Sequence, residues 1–242
     1  MAQQTETERR VWWHFIKCMR DYRLVSDGDK VLIALSGGKD SLLLTELMAR
    51  KSSIFMPRFS VEAVHVRMEN VSYESDTTYL ETFCHDLGIP LHIITSRFDP
   101  DPQRNSHCVK SPCFLCSWQR RKEIFRLTQS EGFNKIALGH HQDDLIHTAL
   151  MNTIYEGRFD TMDIILPLDK MPLTIIRPLA LVRESDITVL AKEKGYVKQT
   201  KTCQYDDTTR RAAVSRIYQE IETINPEARH SIWQALRKNK KY

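Results

Sequence analysis

Residues 36–41, SGGKDS, place two glycines, two hydroxyls, a lysine and an aspartate between a short apolar run and a leucine-rich stretch. Gly37 and Gly38 let the backbone turn sharply and approach a bound group closely. A helix starting here would present free N–H groups, backed by the macrodipole, to an anion. Ser36 and Ser41 add hydroxyls, Lys39 adds a full positive charge, and Asp40 offers an oxygen ligand of the kind Mg2+ prefers. Together they describe a phosphate cradle. The plainer alternative is a Gly-Gly turn that only caps a helix, and it leaves the lysine and the aspartate without a reason.

A second group follows about a hundred residues later. Residues 138–144, LGHHQDD, carry His140, His141, Asp143 and Asp144. Adjacent carboxylates suit a divalent cation shared with phosphate. Otherwise one aspartate caps the next helix and the histidines pack. The third group is sulfur. Of six cysteines, Cys18 and Cys84 stand alone in apolar periodic stretches and read as core. Cys108, Cys113 and Cys116 crowd together, and Cys203 lies far off. Cys113-Phe-Leu-Cys116 is a C-x-x-C, whose thiolates bind zinc or iron–sulfur clusters. Adding Cys108 and Cys203 gives a plant-type [2Fe-2S] spacing, and His107 with the cysteines gives a tetrahedral zinc set.

These groups need elements to hold them. Apolar spacing predicts a helix over 5–22, with Val11, Trp12, Phe15, Ile16 and Met19 inward, and a buried strand over 31–35 just before SGGKDS. Further strands are expected over 59–68, 91–95, 135–138 and 174–177. Helices are expected after the SGGKDS loop, over 75–87, from Cys116 to Glu131, over 143–155 and over 183–194, and again from about residue 208 with a break at Pro226. Residues 96–112 read as a long loop. Strands alternating with helices imply an α/β fold: a mostly parallel sheet covered on both faces, with ligands at the carboxyl ends of its strands. SGGKDS and LGHHQDD each follow a strand directly, so both belong on that edge. The expected division is a helix over 1–25, the main domain over 26–205 and a basic helical extension over 206–242.

Composition sets the bounds. The 242 residues, 41% hydrophobic with 8 Gly and 9 Pro, can bury a core, which excludes collagen-like and wholly disordered chains. No apolar run reaches the roughly 18 residues of a membrane helix. The acidic start, MAQQTETERR, shows no secretory pattern, so no membrane role and a cytoplasmic location are expected. Six cysteines in this length make no disulfide scaffold. The net charge of +4 is mild, but its distribution is not. Arg120, Arg121, Lys122 and Arg126 flank the C-x-x-C, and Arg229, Arg237, Lys238, Lys240 and Lys241 crowd the tail. Such clusters favour a phosphate backbone. Trp118 could stack on a base, though a core position is the simpler expectation.

The Walker A pattern and G-x-G-x-x-G are both absent. SGGKDS instead resembles the pyrophosphate loop, or PP-loop, of the N-type ATP pyrophosphatases, which cleave ATP between the α and β phosphates and adenylate a substrate oxygen. SPCFLCSWQRR, IALGHHQDD and IIRPLALVRESDI extend the likeness. In order and spacing, from about residue 30 to 205, the chain resembles the bacterial tRNA 2-thiocytidine synthetases of the TtcA group. The resemblance implies an adenine-nucleotide α-hydrolase-like fold, often dimeric, that uses ATP, Mg2+ and tRNA. It implies a [4Fe-4S] cluster on Cys113, Cys116 and Cys203, with an open iron position for sulfide from a donor such as a cysteine desulfurase. Cys113, Cys116 and Asp40 would then be catalytic, and the C2 carbonyl oxygen of a cytidine would be adenylated and replaced by sulfur. Around Cys203 only the cysteine itself matches the family's pattern. Other readings compete: amidation or lysidine-type ligation of another activated carbonyl, thiolation of a different substrate, and a non-catalytic, metal-stabilised RNA-binding or redox module.

Overall fold

The computed structural model describes residues 4–69, 76–98, 112–197 and 210–240. The first half runs α1 (Glu6–Asp21), β1 (Lys30–Ala34), α2 (Lys39–Ser52), β2 (Ser60–Met68), α3 (Thr77–Asp86) and β3 (Leu91–Ser96). The second half runs α4 (Pro112–Glu131), β4 (Lys135–Ala137), α5 (Gln142–Glu156), β5 (Ile165–Pro167), β6 (Thr174–Ile176), α6 (Glu184–Glu193), α7 (Arg210–Ile224) and α8 (Ala228–Lys240).

The strands form one sheet in the order β3-β2-β1-β4-β6-β5. All neighbours pair parallel except β5, which is antiparallel to β6. The chain enters the sheet at β1, steps outward to β2 and β3, and then returns to the other side of β1 as β4. That reversal makes the β1–β4 crevice the switch point, where parallel sheets of this kind hold ligands. The register pairs Ile33 with Ala137, so β1 and β4 end level and their following loops leave side by side.

β1 shows why the sheet is covered twice. Val31 and Ile33 face one apolar cluster, filled by α1, α2, α3 and α6, while Leu32 faces another with Val64, Val66 and Met68. The second cluster is closed by Leu115, Cys116, Ile124 and Leu127 of α4. A strand buried on both faces reads as a continuous apolar run, as VLI does. α1 buries Val11, Phe15, Cys18 and Met19 at helical spacing, and Thr5 caps its start by accepting the Glu8 N–H. Arg10 fastens it to α6 through two bonds to Asp186, at 2.7 and 3.1 Å. No helix among the described residues is long and apolar enough to cross a membrane.

Two expectations need correction. α4 begins at Pro112 and not at Cys116, so the C-x-x-C lies inside its first turns. Proline is well suited to a first helical position, because its missing N–H has no intrahelical partner there. β5 was not anticipated: three residues, ILP, at the antiparallel edge carry no readable alternation. The loop expected over 96–112 lies mostly outside the described residues, as do His107, Cys108 and Cys203.

Candidate active site

The SGGKDS loop joins β1 to α2 and is folded on itself. Gly37 sits at φ 80, a backbone region that favours glycine. The Ser41 hydroxyl donates to the Gly38 carbonyl at 2.9 Å and accepts the Ser36 N–H at 3.2 Å. Gly38 is the N-cap of α2, and no side chain caps the helix. Its first-turn N–H groups therefore point outward unshielded, as an anion site requires. Lys39 reaches Asp40 at 3.0 Å and Glu184, the first residue of α6, at 2.9 Å. Burial works against its charge, but Asp40 and Glu184 outweigh it and hold the ammonium above its ordinary pKa.

LGHHQDD leaves β4 beside this loop. A Cβ on Gly139 would stand 3.3 Å from the backbone of Asp40 and Ser41, so the glycine lets the two loops touch. His141 is the N-cap of α5, and its N–H donates to Asp144 at 3.0 Å. Around its ring stand Asp40 at 3.8 Å, Asp144 at 3.5 Å and Asp143 at 3.7 Å. Burial disfavours the imidazolium, but Asp143, Asp144, Asp40 and Glu184 prevail and raise the pKa of His141. His140 behaves oppositely. Burial and the adjacent Arg177, whose Nε donates to Nδ1 at 3.2 Å, lower it to about 4.

The two aspartates differ in availability. Asp143 is buried, with one oxygen on Arg229 at 2.6 Å and the other accepting the Glu184 N–H at 2.8 Å. Burial penalises its charge, yet His141, Arg229 and that N–H hold it well below the usual carboxylate range. It fastens α6 and α8 to the start of α5. Asp144 is more open and meets Arg211 of α7 at 2.8 Å. Asp40 and Asp144 are thus the carboxylates that can turn to a cation.

Glu184, Arg177, Arg211 and Arg229 were missed as site residues, because each becomes one only through tertiary contact. Glu184 and Arg177 had a signal in the IIRPLALVRESDI block. Arg229 was grouped with the basic tail, yet it is turned inward, whereas Arg237 and Lys238 are exposed.

Cys113 and Cys116 lie on the first turns of α4, three residues apart and so on one helical face; Cys113 is exposed and Cys116 half-buried. The Gln119 side chain donates to the hydroxyl of Ser96, the last residue of β3, at 3.0 Å. The start of α4 therefore lies at the carboxyl edge of the sheet. β3 is two interstrand spacings from β1, about 10 Å. Among the described residues no three His, Cys, Asp or Glu side chains converge as a metal cage. Two thiols on one face suit a sulfur-ligated metal. Cys18 and Cys84 are buried as expected, and burial pushes their thiols up to about 12 and about 11. Trp118 is half exposed, with the Lys122 ammonium 5.2 Å from its ring, so the expected core position is corrected.

Comparison with known proteins follows the same lines. A family model described as a PP-loop domain matches residues 8–221. The tRNA-cytidine(32) 2-sulfurtransferase of Coxiella burnetii (strain RSA 493 / Nine Mile phase I) is 32% identical over 234 residues, covering 96% of this chain and 91% of that protein. The tRNA-cytidine(32) 2-sulfurtransferase 2 of Francisella tularensis subsp. tularensis (strain FSC 198) is 30% identical over 238 residues, covering 96% and 92%. Among solved structures, the U34-tRNA thiolase NcsA from Methanococcus maripaludis, with its [4Fe-4S] cluster, superposes with a TM-score of 0.77 at 24% identity, over 98% of this chain and 79% of that one. An NH3-dependent NAD synthetase from Campylobacter jejuni shares the fold more loosely, with a TM-score of 0.51 at 14% identity, over 98% and 96%.

Proposed function

The chain belongs to the PP-loop family, among the tRNA-cytidine(32) 2-sulfurtransferases, and from that membership we propose that it uses ATP to replace the C2 oxygen of a tRNA cytidine with sulfur. The observation that carries this reading is the placement of a phosphate loop, a carboxylate pair and a two-thiol helix face along one edge of the sheet.

The pyrimidine C2 oxygen is a poor leaving group. Attack of that oxygen on the α-phosphorus of ATP releases pyrophosphate and leaves an AMP ester, which sulfide can displace from C2. The first-turn N–H groups of α2, with Ser36, Gly37, Gly38 and Ser41, bind the departing pyrophosphate. Lys39 exchanges its carboxylate partners for phosphate oxygens and neutralises charge where it develops. Asp40 and Asp144 would hold Mg2+ against the phosphates, with Asp143 and His140 fixing the second loop behind them. His141, whose pKa the surrounding acids raise against its burial, stands beside the phosphates and adds positive charge there when protonated.

Cys113 and Cys116, with Cys203, would ligate a [4Fe-4S] cluster, and such a cluster bound by three thiolates supplies an open iron position that carries sulfide. Holding the sulfur source and the activated base on one edge converts an encounter in solution into a local reaction. A donor such as a cysteine desulfurase would supply the sulfur. A cytoplasmic setting fits a tRNA substrate, and exposed Ile217 and Ile224 on α7 offer a second copy an apolar face for a homodimer.

Nucleoside mass spectrometry of tRNA, from cells with and without this chain, tests the reading. Loss of 2-thiocytidine with the chain, restored by the parent protein and not by Cys113→Ala, is expected. Thiolation at the parent level in Cys113→Ala sinks the role of the thiols.

A further inference from the structure

We propose that the groove between α1 and α8 is a binding subsite for single-stranded RNA, taking a nucleotide that flanks the modified one. This rests on the thiolation reading and adds to it where the RNA is gripped. The groove encloses about 480 Å³, within the range of a nucleotide-sized pocket. Its charge is one-sided. Lys17, Arg183, Arg229 and Arg237 line it, and Asp21 is the one acid among its lining residues. Lys17 is paired with that acid at 2.5 Å, and Arg229 is held by Asp143, which leaves Arg183 and Arg237 to meet phosphate.

The walls supply stacking surfaces. Trp13 of α1 is 59% exposed, and Trp233 of α8, packed partly against the core, also lines the groove. A large exposed indole beside unengaged guanidinium groups is the combination that binds unpaired nucleotides, with ring on base and charge on backbone. It serves no packing need, since α1 already buries Val11, Phe15, Cys18 and Met19 on its other face.

The position argues for the same substrate as the active site. Gln142, which also lines the groove, directly follows His141 at the start of α5. Arg183 directly precedes Glu184, the partner of Lys39. Arg229 lines the groove and bonds Asp143 at once. A strand lying in the groove would therefore pass beside the phosphate loop, with the thiol face of α4 on the far side of β1.

The test uses the full chain and its double variant Trp13→Ala/Arg237→Glu, two surface positions outside the phosphate loop. Binding is measured to bulk tRNA and to a fluorescent single-stranded oligoribonucleotide over a range of salt. The variant should bind both about tenfold or more weakly, with its salt slope reduced by about 0.7 for one lost phosphate contact. ATP should protect it against heat as well as it protects the parent. Parent-like affinity and slope overturn the subsite while leaving the thiolation reading in place. A parent protein that binds no tRNA overturns both. Lost thiolation in cells with unimpaired RNA binding marks a protein-docking face and also overturns the subsite.

Discussion

Asp143 shows what a single side chain does in this site. Both of its oxygens are engaged, by Arg229 and by the Glu184 N–H, in a buried setting. Asp143→Ala leaves Arg229 with Glu222 alone, at 3.1 Å, and the Glu184 N–H without its acceptor, and we expect a loss of about 1–3 kcal/mol in urea unfolding. His140 predicts a pH response. Its pKa falls from 6.5 to about 4 on folding, so the unfolded chain binds the proton more readily. Its stabilising contribution is complete above pH 6.5 and is lost as pH falls towards about 4. His140→Gln should flatten that part of the stability-versus-pH curve, and an unchanged slope would contradict the assignment. The thiols divide in the same way. Iodoacetamide at mild alkaline pH should label exposed Cys113 in the folded, metal-free protein and spare Cys18 and Cys84, as peptide mass spectrometry would read. SGGKDS and Cys113-x-x-Cys116 were legible because their chemistry is local. Arg229 was not, since nothing within a few residues tells an inward ion-pair partner from a solvated charge, and Glu184 was visible only as part of the IIRPLALVRESDI block.

Elements were legible to within a few residues where period and punctuation agreed. The helix ending at Gly88 is such a case, because its αL glycine at φ 68 stops the chain as expected. The start of α4 was misplaced because residues 96–112 show no periodicity and were read as one loop, whereas Pro112 at a first helical position is an initiator. The shift matters, since it brings Cys113 onto the helix and sets it with Cys116 on one helix face. Gly139 carries the element-scale prediction. A methyl there meets the backbone of Asp40 and Ser41 at 3.3 Å, and neither can yield without moving the first turn of α2. Gly139→Ala should destabilise the protein by about 1–3 kcal/mol and weaken ATP binding in calorimetry. Parent-like affinity for ATP would mean that the two loops need no such contact.

At the scale of the molecule, the α/β architecture and the placement of both polar loops on one sheet edge followed from the alternation of elements. The sheet order did not, because it depends on which side of β1 the chain returns to. That choice puts the site at the β1–β4 crevice and gives it parts from widely separated segments: Lys39, Asp144, Glu184 and Arg229. The thiol pair and the phosphate loop therefore share an edge but little structure. With the proposed cluster on these thiols, Cys113→Ser should lose the visible absorbance of anaerobically purified protein yet keep ATP-dependent protection in a thermal shift assay. Simultaneous loss of both would show that the two halves fold as one unit.

The grip of Arg229 on Asp143 also makes the second polar loop answer to a segment far along the chain. Proteolysis that frees α8 from the sheet edge would strip Asp143 of its guanidinium and leave an acid beside the phosphate loop that repels phosphate. Nucleotide affinity thus doubles as a report on whether α8 is docked.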